Sequence, residues 1–174
     1  ELHRALAHYE DAESMYAKCL HDVESLVLPA DDMYLKTTMN LRILVGYADF
    51  YRNLCLYGDL DLILQKAEKL SSSLDPGTLE EGAEAFNLVI ADLRISQASY
   101  LISLGEYDAA EKLHMEALNL RRQVLGPDHF KVASSLSHLG HVALLKSNFR
   151  KATRLLGESL AIRKTIFPNN YFRF

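Results

Sequence analysis

Residues 104–121 read LGEYDAAEKLHMEALNLR, and residues 146–163 read KSNFRKATRLLGESLAIR. The second stretch begins 42 residues after the first and presents the same residue types in the same order. In each stretch an aromatic residue is followed three positions later by a small one: Tyr107 by Ala110, and Phe149 by Ala152. A pattern that recurs at a fixed interval of this length is the sequence signature of a repeat architecture. The two stretches therefore predict that the chain is built from copies of one structural unit.

The breaks between the long apolar segments recur at a similar interval. The four prolines are spaced by 47, 51 and 41 residues, and none interrupts a long apolar segment: Pro29, Pro76, Pro127 and Pro168. Proline is excluded from helix interiors because it lacks an amide proton and clashes with the preceding turn. Small residues form a second, interleaved series of breaks: Ala7, Gly58, Gly105 and Ser147. Two interleaved series predict a succession of helical hairpins.

Within the segments, apolar residues recur with the 3.6-residue period of a helix, and strand-like alternation is absent. The sequence therefore predicts an all-α fold. The predicted helices cover residues 9–27, 31–57, 60–74, 78–104, 107–125, 128–146 and 149–167. Residues 1–6 are expected to be the end of an earlier helix.

Residues typical of helix ends stand at several of these boundaries. Thr78 and Glu81 have the spacing of a capping box, and Asp128 is expected to cap the helix that follows it. Gly126, followed by proline, is expected to end the preceding helix. Gly82 costs about 1 kcal/mol relative to Ala inside a helix, so the helix near Thr78 is expected to begin a few residues later.

The two stretches resemble the tetratricopeptide repeat (TPR), whose signature includes a Gly-x-Tyr turn, a small residue three positions later and an Ala-Leu pair further on. Residues 117–133, ALNLRRQVLGPDHFKVA, are more specifically similar to the 42-residue variant found in kinesin light chains, with Phe130 replacing the family's usual Pro. The resemblance is strong over 93–167, fair over 9–13 and weak over 31–75.

The resemblance implies a right-handed superhelical stack of antiparallel helical hairpins, an α-solenoid of about three to four repeats. Residues 1–174 are expected to form a single TPR-like domain, truncated at both ends. Its units are expected at roughly 1–28, 31–75, 78–125 and 128–167. The small residues Ala98, Ala110, Ala152 and Gly140 are expected at close helix contacts, with Tyr107 and Phe149 filling the space beside the turns.

In this family the first helix of each hairpin lines a concave groove, which suits an extended segment or a helix of another protein. The register of the resemblance places Ala48 and seven polar or charged residues on that face. The seven candidates for peptide binding are Asp49, Arg52, Ser96, Ser99, Ser137, His138 and His141. A chaperone clamp of Lys followed four residues later by Asn is not expected, because the matching pairs are Ile95 with Ser99 and Ser137 with His141. The double asparagine that kinesin light chains carry before Leu139 is Ser137-His138 here.

We expect no enzyme activity, no cofactor and no metal. His138 and His141 share a helical face, but two histidines without a third ligand do not make a metal site. The nearby serines lie on a helix without a Gly-x-Ser-x-Gly turn, and phosphate-binding glycine loops are absent. The two cysteines, Cys19 and Cys55, are too few for a disulfide framework, which favours a reducing, cytoplasmic setting.

Charge is divided unevenly along the chain. Residues 1–111 contain 8 basic and 20 acidic side chains, whereas residues 112–174 contain 11 and 3. The basic excess includes a patch expected on the surface, Arg150, Lys151 and Arg154, together with Arg121, Arg122, Arg163 and Lys164. This distribution favours an acidic peptide as the partner, an acidic surface of the parent protein or self-association with a second copy.

The sequence thus predicts a protein–protein interaction scaffold, or adaptor, that binds a protein or peptide partner and neither nucleic acid nor membrane. Two alternatives stay open. One is a regulatory, peptide-sensing repeat domain that controls an attached effector, which a flanking DNA-binding or enzymatic domain would favour. The other is a purely architectural repeat array in a large assembly, whose groove its own protein would fill.

Overall fold

The computed structural model describes residues 2–29, 32–54, 57–74 and 82–167. Within these ranges the chain forms helices and no strand, so the all-α prediction is confirmed. The seven helices of the described ranges are α1 (Leu2–Ser25), α2 (Met33–Asn53), α3 (Tyr57–Ser71), α4 (Ala83–Ser103), α5 (Tyr107–Leu125), α6 (Phe130–Leu145) and α7 (Phe149–Ile166). None of these helices is both long and apolar enough to cross a lipid bilayer.

The chain divides into two units, unit 1 over residues 1–89 and unit 2 over residues 90–174. In unit 1, α2 packs against both α1 and α3. Aromatic rings join α1 to α2: Tyr16 stacks on Tyr47 with ring centroids 4.8 Å apart. The Glu13 carboxylate of α1 accepts hydrogen bonds from the Tyr47 hydroxyl at 3.2 Å and the Tyr51 hydroxyl at 2.6 Å. The contact between α1 and α2 therefore combines ring stacking with a shared polar centre.

In unit 2, α6 packs against both α5 and α7 around a core of aliphatic side chains. This core contains Leu118, Val132, Leu136, Leu139 and Leu155. A second cluster joins α4 to α5 through Ala91, Ile95 and Ala117. Apolar side chains from all four helices, α4 to α7, therefore form the packed interior of unit 2.

The small residues predicted at helix contacts are buried, and Gly140 stands at a close approach of two helices. Ala98, Ala110 and Ala152 are buried. A Cβ atom added to Gly140 on α6 would lie 2.7 Å from Cγ of Leu156 on α7. Because that separation is shorter than van der Waals contact, Gly140 lets the backbone of α6 approach the Leu156 side chain closely.

The turns inside the two hairpins of unit 2 confirm the predicted breaks at Gly105 and Ser147. Both residues adopt the left-handed backbone region, with φ of 81° and 57° respectively. Gly126 ends α5 with φ of 79°, and its amide donates to the Arg122 carbonyl. Gly82, with φ of 80°, lies just before α4, so that helix begins later than Thr78, as expected. The proposed capping residues Thr78 and Glu81 lie outside the described residues.

Several local predictions are wrong. α1 continues from Leu2 to Ser25, so Ala7 is not a break, because alanine is the strongest helix former. Gly58 lies in the first turn of α3 and not before it. His129, and not Asp128, caps α6: its Nδ1 accepts from the Lys131 amide at 3.0 Å. Phe149 is 65% exposed and does not fill the space beside its turn, whereas Tyr107 is half-buried.

Candidate functional site

The two candidate residues in unit 1 pair with each other. Asp49 and Arg52 lie one turn apart on α2, and their carboxylate and guanidinium groups are 3.3 Å apart. The neighbouring Ala48 is buried and belongs to the core. A partner that reaches Asp49 or Arg52 therefore meets an ion pair between side chains that are each partly shielded from solvent.

The α4 candidates direct their hydroxyl groups toward their own helix. Ser96 is only 2% exposed, and its hydroxyl lies 3.4 Å from the Asp92 carbonyl. Ser99 is half-buried and donates to the Ile95 carbonyl at 2.9 Å. Serine in a helix commonly bonds to the carbonyl four residues earlier. Ser96 thus has almost no surface to offer a partner, while Ser99 retains some.

The α6 candidates lie on one side of the helix, with their apolar neighbours facing the core. We call Ser137, His138 and His141 the α6 polar face. Ser137 and His138 are half-buried, and His141 is exposed. The buried Ser159 of α7 donates to the Ala133 carbonyl at 2.7 Å, so Ser137 donates in the 2.8 Å contact between the two hydroxyls. The α6 polar face is therefore accessible to another molecule and anchored to α7 at one end.

A histidine that the sequence did not single out lies beneath this face. His114 of α5 is 1% exposed, and its ring stacks on His138 with centroids 5.2 Å apart and planes 8° from parallel. Neither ring nitrogen of His114 has a hydrogen-bond partner. Burial, assisted by His138, Arg121 and His141, lowers the pKa of His114 to about 3. The ring is therefore neutral at physiological pH and supports His138 from inside unit 2.

A polar junction joins three helices beside the core. Arg121 of α5 is nearly buried, and its guanidinium lies 2.5 Å from the Asp92 carboxylate of α4. The same guanidinium donates to the Ser135 hydroxyl of α6 at 2.8 Å and to the Lys131 carbonyl at 3.0 Å. Arg121 counts toward the basic excess of residues 112–174, but its charge is used inside this junction. The helical period could not predict the contact between Arg121 and Asp92, because the two residues lie 29 positions apart and on different helices.

Two of the three residues of the predicted basic patch, Lys151 and Arg154, form ion pairs within the fold. Lys151 is half-buried and, together with Lys146, contacts the Glu111 carboxylate of α5. Hydrogen bonds from Lys146 and Lys151 lower the pKa of Glu111 below its ordinary value. Arg154 is exposed and lies 3.0 Å from Glu158 one turn later. Of the three patch residues, Arg150 alone is exposed without an ion-pair partner in the part of the chain that the structure describes.

Groups of three or more histidine, cysteine, aspartate or glutamate side chains arranged to hold a metal ion do not occur among the described residues. What unit 2 presents is a half-exposed polar helix face supported by packed helices. Such a surface suits hydrogen bonding to another polypeptide.

Comparison with known proteins identifies the repeats. A model of the tetratricopeptide repeat family matches residues 89–165, which contain α5, α6, all but the last residue of α7 and most of α4. The sequence of residues 89–165 is therefore similar to tetratricopeptide repeats. The α6 polar face lies within this matched region, on the first helix of its second hairpin.

A solved structure shows the same fold over a longer part of the chain. The crystal structure of BtubC (BKLC) from P. vanneervenii matches 94% of this chain with a TM-score of 0.74 and 22% sequence identity. At this level of identity the match shows a likeness of fold, in accord with the tetratricopeptide resemblance of the sequence. The match covers 59% of the BtubC chain. A search of curated proteins finds no match.

Proposed function

We propose that the chain is a protein-interaction scaffold that binds a peptide or a segment of a partner protein on the first helices of its hairpins. The α6 polar face carries this proposal, because it leaves hydrogen-bonding groups accessible within tetratricopeptide repeats. Helical repeats of this kind stack into extended binding surfaces. Ser99, Ser137, His138 and His141 are the contact residues in unit 2, and Asp49 with Arg52 are those in unit 1.

The chemistry of the α6 polar face suits a polypeptide backbone. A neutral imidazole has one donor and one acceptor nitrogen, and a serine hydroxyl can both donate and accept. His141 is exposed, so its ring can approach a partner without displacing protein contacts. His138 is held by its stack on His114, which reduces the freedom that it loses on binding.

Two further features bear on the cellular setting and on the charge of the partner. Cys19 is an exposed free thiol, which fits a reducing, cytoplasmic setting. The exposed guanidinium of Arg150 and the exposed ammonium of Lys164 favour an acidic partner, either a peptide or a second copy of the chain.

The test compares binding by three forms of the chain. The wild type recovers a partner from cell extract, and the purified partner is then titrated against each form. We expect the His138→Ala, His141→Ala double variant to bind at least about fivefold more weakly, because interface residues that matter contribute on the order of 1 kcal/mol. The control is His21→Ala, which removes an exposed histidine from α1.

Circular dichroism and thermal melting must show that the double variant is folded, since His138 also packs on His114. Equal affinity of the folded double variant and the wild type would contradict the proposal. Hydrogen exchange that shows protection by the partner on α5 and α7 but not on α6 would contradict it as well.

A further inference from the structure

Unit 1 contains a cavity of about 360 Å³, open to solvent on one side and lined by residues of α1, α2 and α3, together with Ser73 just after α3. We call it the unit-1 cavity. Its volume falls in the range of pockets that hold small molecules, which begins at about 300 Å³. The unit-1 cavity lies outside residues 89–165, so neither the tetratricopeptide match nor the α6 polar face accounts for it.

Leucines from all three helices form the apolar part of the cavity wall: Leu20 from α1, Leu44 from α2 and Leu70 from α3. Leu44 is buried, and the other two are half-buried. Three aliphatic side chains directed at one space favour an aliphatic group in that space, because it removes apolar surface from water. The apolar body of a ligand thus belongs between the leucines.

A polar group without a partner also lines the cavity. Asn40 of α2 is only 8% exposed, and its side-chain carbonyl oxygen, Oδ1, has no hydrogen-bond partner. A buried acceptor without a donor is destabilising, so buried polar groups are nearly always satisfied. An N–H or O–H group in the cavity would satisfy Asn40.

Two lysines give the cavity a positive edge. Lys66 and Lys69 lie three residues apart on α3, so both ammonium groups are on the same side of the helix. Both side chains are exposed, and neither forms an ion pair in the described ranges. Two adjacent ammonium groups favour one anionic group on the ligand, while Glu24 disfavours a second.

We propose that the unit-1 cavity binds a small aliphatic acid that also carries an N–H donor, such as an N-acylated aliphatic amino acid. The aliphatic group lies between Leu20, Leu44 and Leu70. The carboxylate contacts Lys66 and Lys69, and the N–H donates to Asn40 Oδ1. This binding is independent of the proposed partner site on α6.

Four compounds test these three contacts separately. N-acetylleucine has all the required groups, N-acetylleucine amide lacks the carboxylate, N-acetylglycine lacks the aliphatic group, and 4-methylpentanoate lacks the N–H. Each is titrated into the full ¹⁵N-labelled chain while amide chemical shifts are followed by NMR. We expect N-acetylleucine to bind with a dissociation constant in the low millimolar range, as is usual for so small a ligand. We expect the largest shifts in α2 and α3 near Asn40, Leu44 and Leu70.

Variants then assign the polar contacts. Lys66→Gln with Lys69→Gln should weaken N-acetylleucine at least about threefold. The matched control is Lys18→Gln, which removes an exposed lysine of α1 that does not line the cavity. Asn40→Leu should weaken N-acetylleucine but leave the affinity for 4-methylpentanoate unchanged, because the latter has no N–H to donate.

If Asn40→Leu weakens N-acetylleucine alone, Asn40 contacts the ligand. If the substitution instead distorted the cavity, both acids would bind less well. The proposal is overturned if N-acetylleucine causes no saturable shifts, or if its shifts lie away from the cavity. It is equally overturned if the amide or N-acetylglycine binds as well as N-acetylleucine. The His138→Ala, His141→Ala variant should bind N-acetylleucine like the wild type, so failure here and failure of the partner site are distinguishable.

Discussion

At the scale of single residues, His114 is unusual because a polar ring is buried with both nitrogens unsatisfied. Burial disfavours the charged form of the ring and so lowers the pKa of His114 from its ordinary value of 6.5 to about 3. The folded chain therefore binds a proton at His114 less readily than the unfolded chain. The contribution of His114 to the free energy of unfolding is therefore fully present above the pKa that His114 has in the unfolded chain. It is lost as the pH falls toward the pKa that His114 has in the folded chain.

We expect this linkage to lower the free energy of unfolding by about 2 kcal/mol between about pH 7 and about pH 5. His114→Leu should abolish that part of the pH dependence and should not destabilise the chain at pH 7, because an aliphatic residue of similar size leaves no unsatisfied nitrogen. Urea unfolding of both forms at the two pH values measures the difference. Exposed His21 provides the control, since His21→Leu should retain the pH dependence of the wild type. Parallel pH dependences for His114→Leu and the wild type would show that His114 is protonated without penalty.

At the scale of helices, Arg121 joins α4, α5 and α6 through Asp92, Ser135 and the Lys131 carbonyl. Arg122 is the next residue, yet it is largely exposed, and its nearest carboxylate oxygen, on Glu158, is 3.9 Å away. The two arginines thus offer a matched comparison between a nearly buried junction and a surface ion pair.

Arg121→Ala should lower the free energy of unfolding by about 2–4 kcal/mol, because it removes the three contacts of a nearly buried guanidinium, although Asp92 keeps its ion pair with Lys131 at 3.1 Å. Arg122→Ala should lower it by less than about 1 kcal/mol, as is usual for an exposed ion pair. Chemical unfolding of the two variants measures both effects. Similar losses for the two variants would mean that the junction does not hold the three helices together.

At the scale of the whole molecule, several of the basic residues in the C-terminal part of the chain form contacts within the fold. Arg121, Lys146 and Lys151 contact acidic side chains within unit 2, and Arg163 lies over the Phe130 ring at 5.0 Å. Arg150 and Lys164 are exposed and lack ion-pair partners among the residues that the structure covers. Any attraction of an acidic partner to this part of the chain therefore depends more on these two residues than on Lys151.

Reversing Arg150 and Lys164 to Glu should slow association with an acidic partner and flatten the dependence of its rate on salt, with stability changed by less than about 0.5 kcal/mol. Lys151→Glu should instead destabilise the fold, because it places a carboxylate beside Glu111. Stopped-flow association at low and physiological salt, with melting curves for each variant, tests both statements. An association rate that ignores both salt and the double reversal would mean that the basic residues are only a solvated surface.

The sequence alone determined the fold class and the positions of the hairpins in residues 104–167, because helical periodicity, turn glycines and small contact residues are local features with fixed spacings. It also placed the accessible groups Ser137, His138 and His141 on one helix. Only the tertiary structure decided that Ser96 is buried, that Phe149 is exposed and that Lys151 is paired with Glu111. Burial of His114, the pairing of Arg121 with Asp92 and the unit-1 cavity all arise where helices distant in sequence meet. Such contacts depend on how the helices pack against one another, and the spacing of residues along a single helix does not predict them.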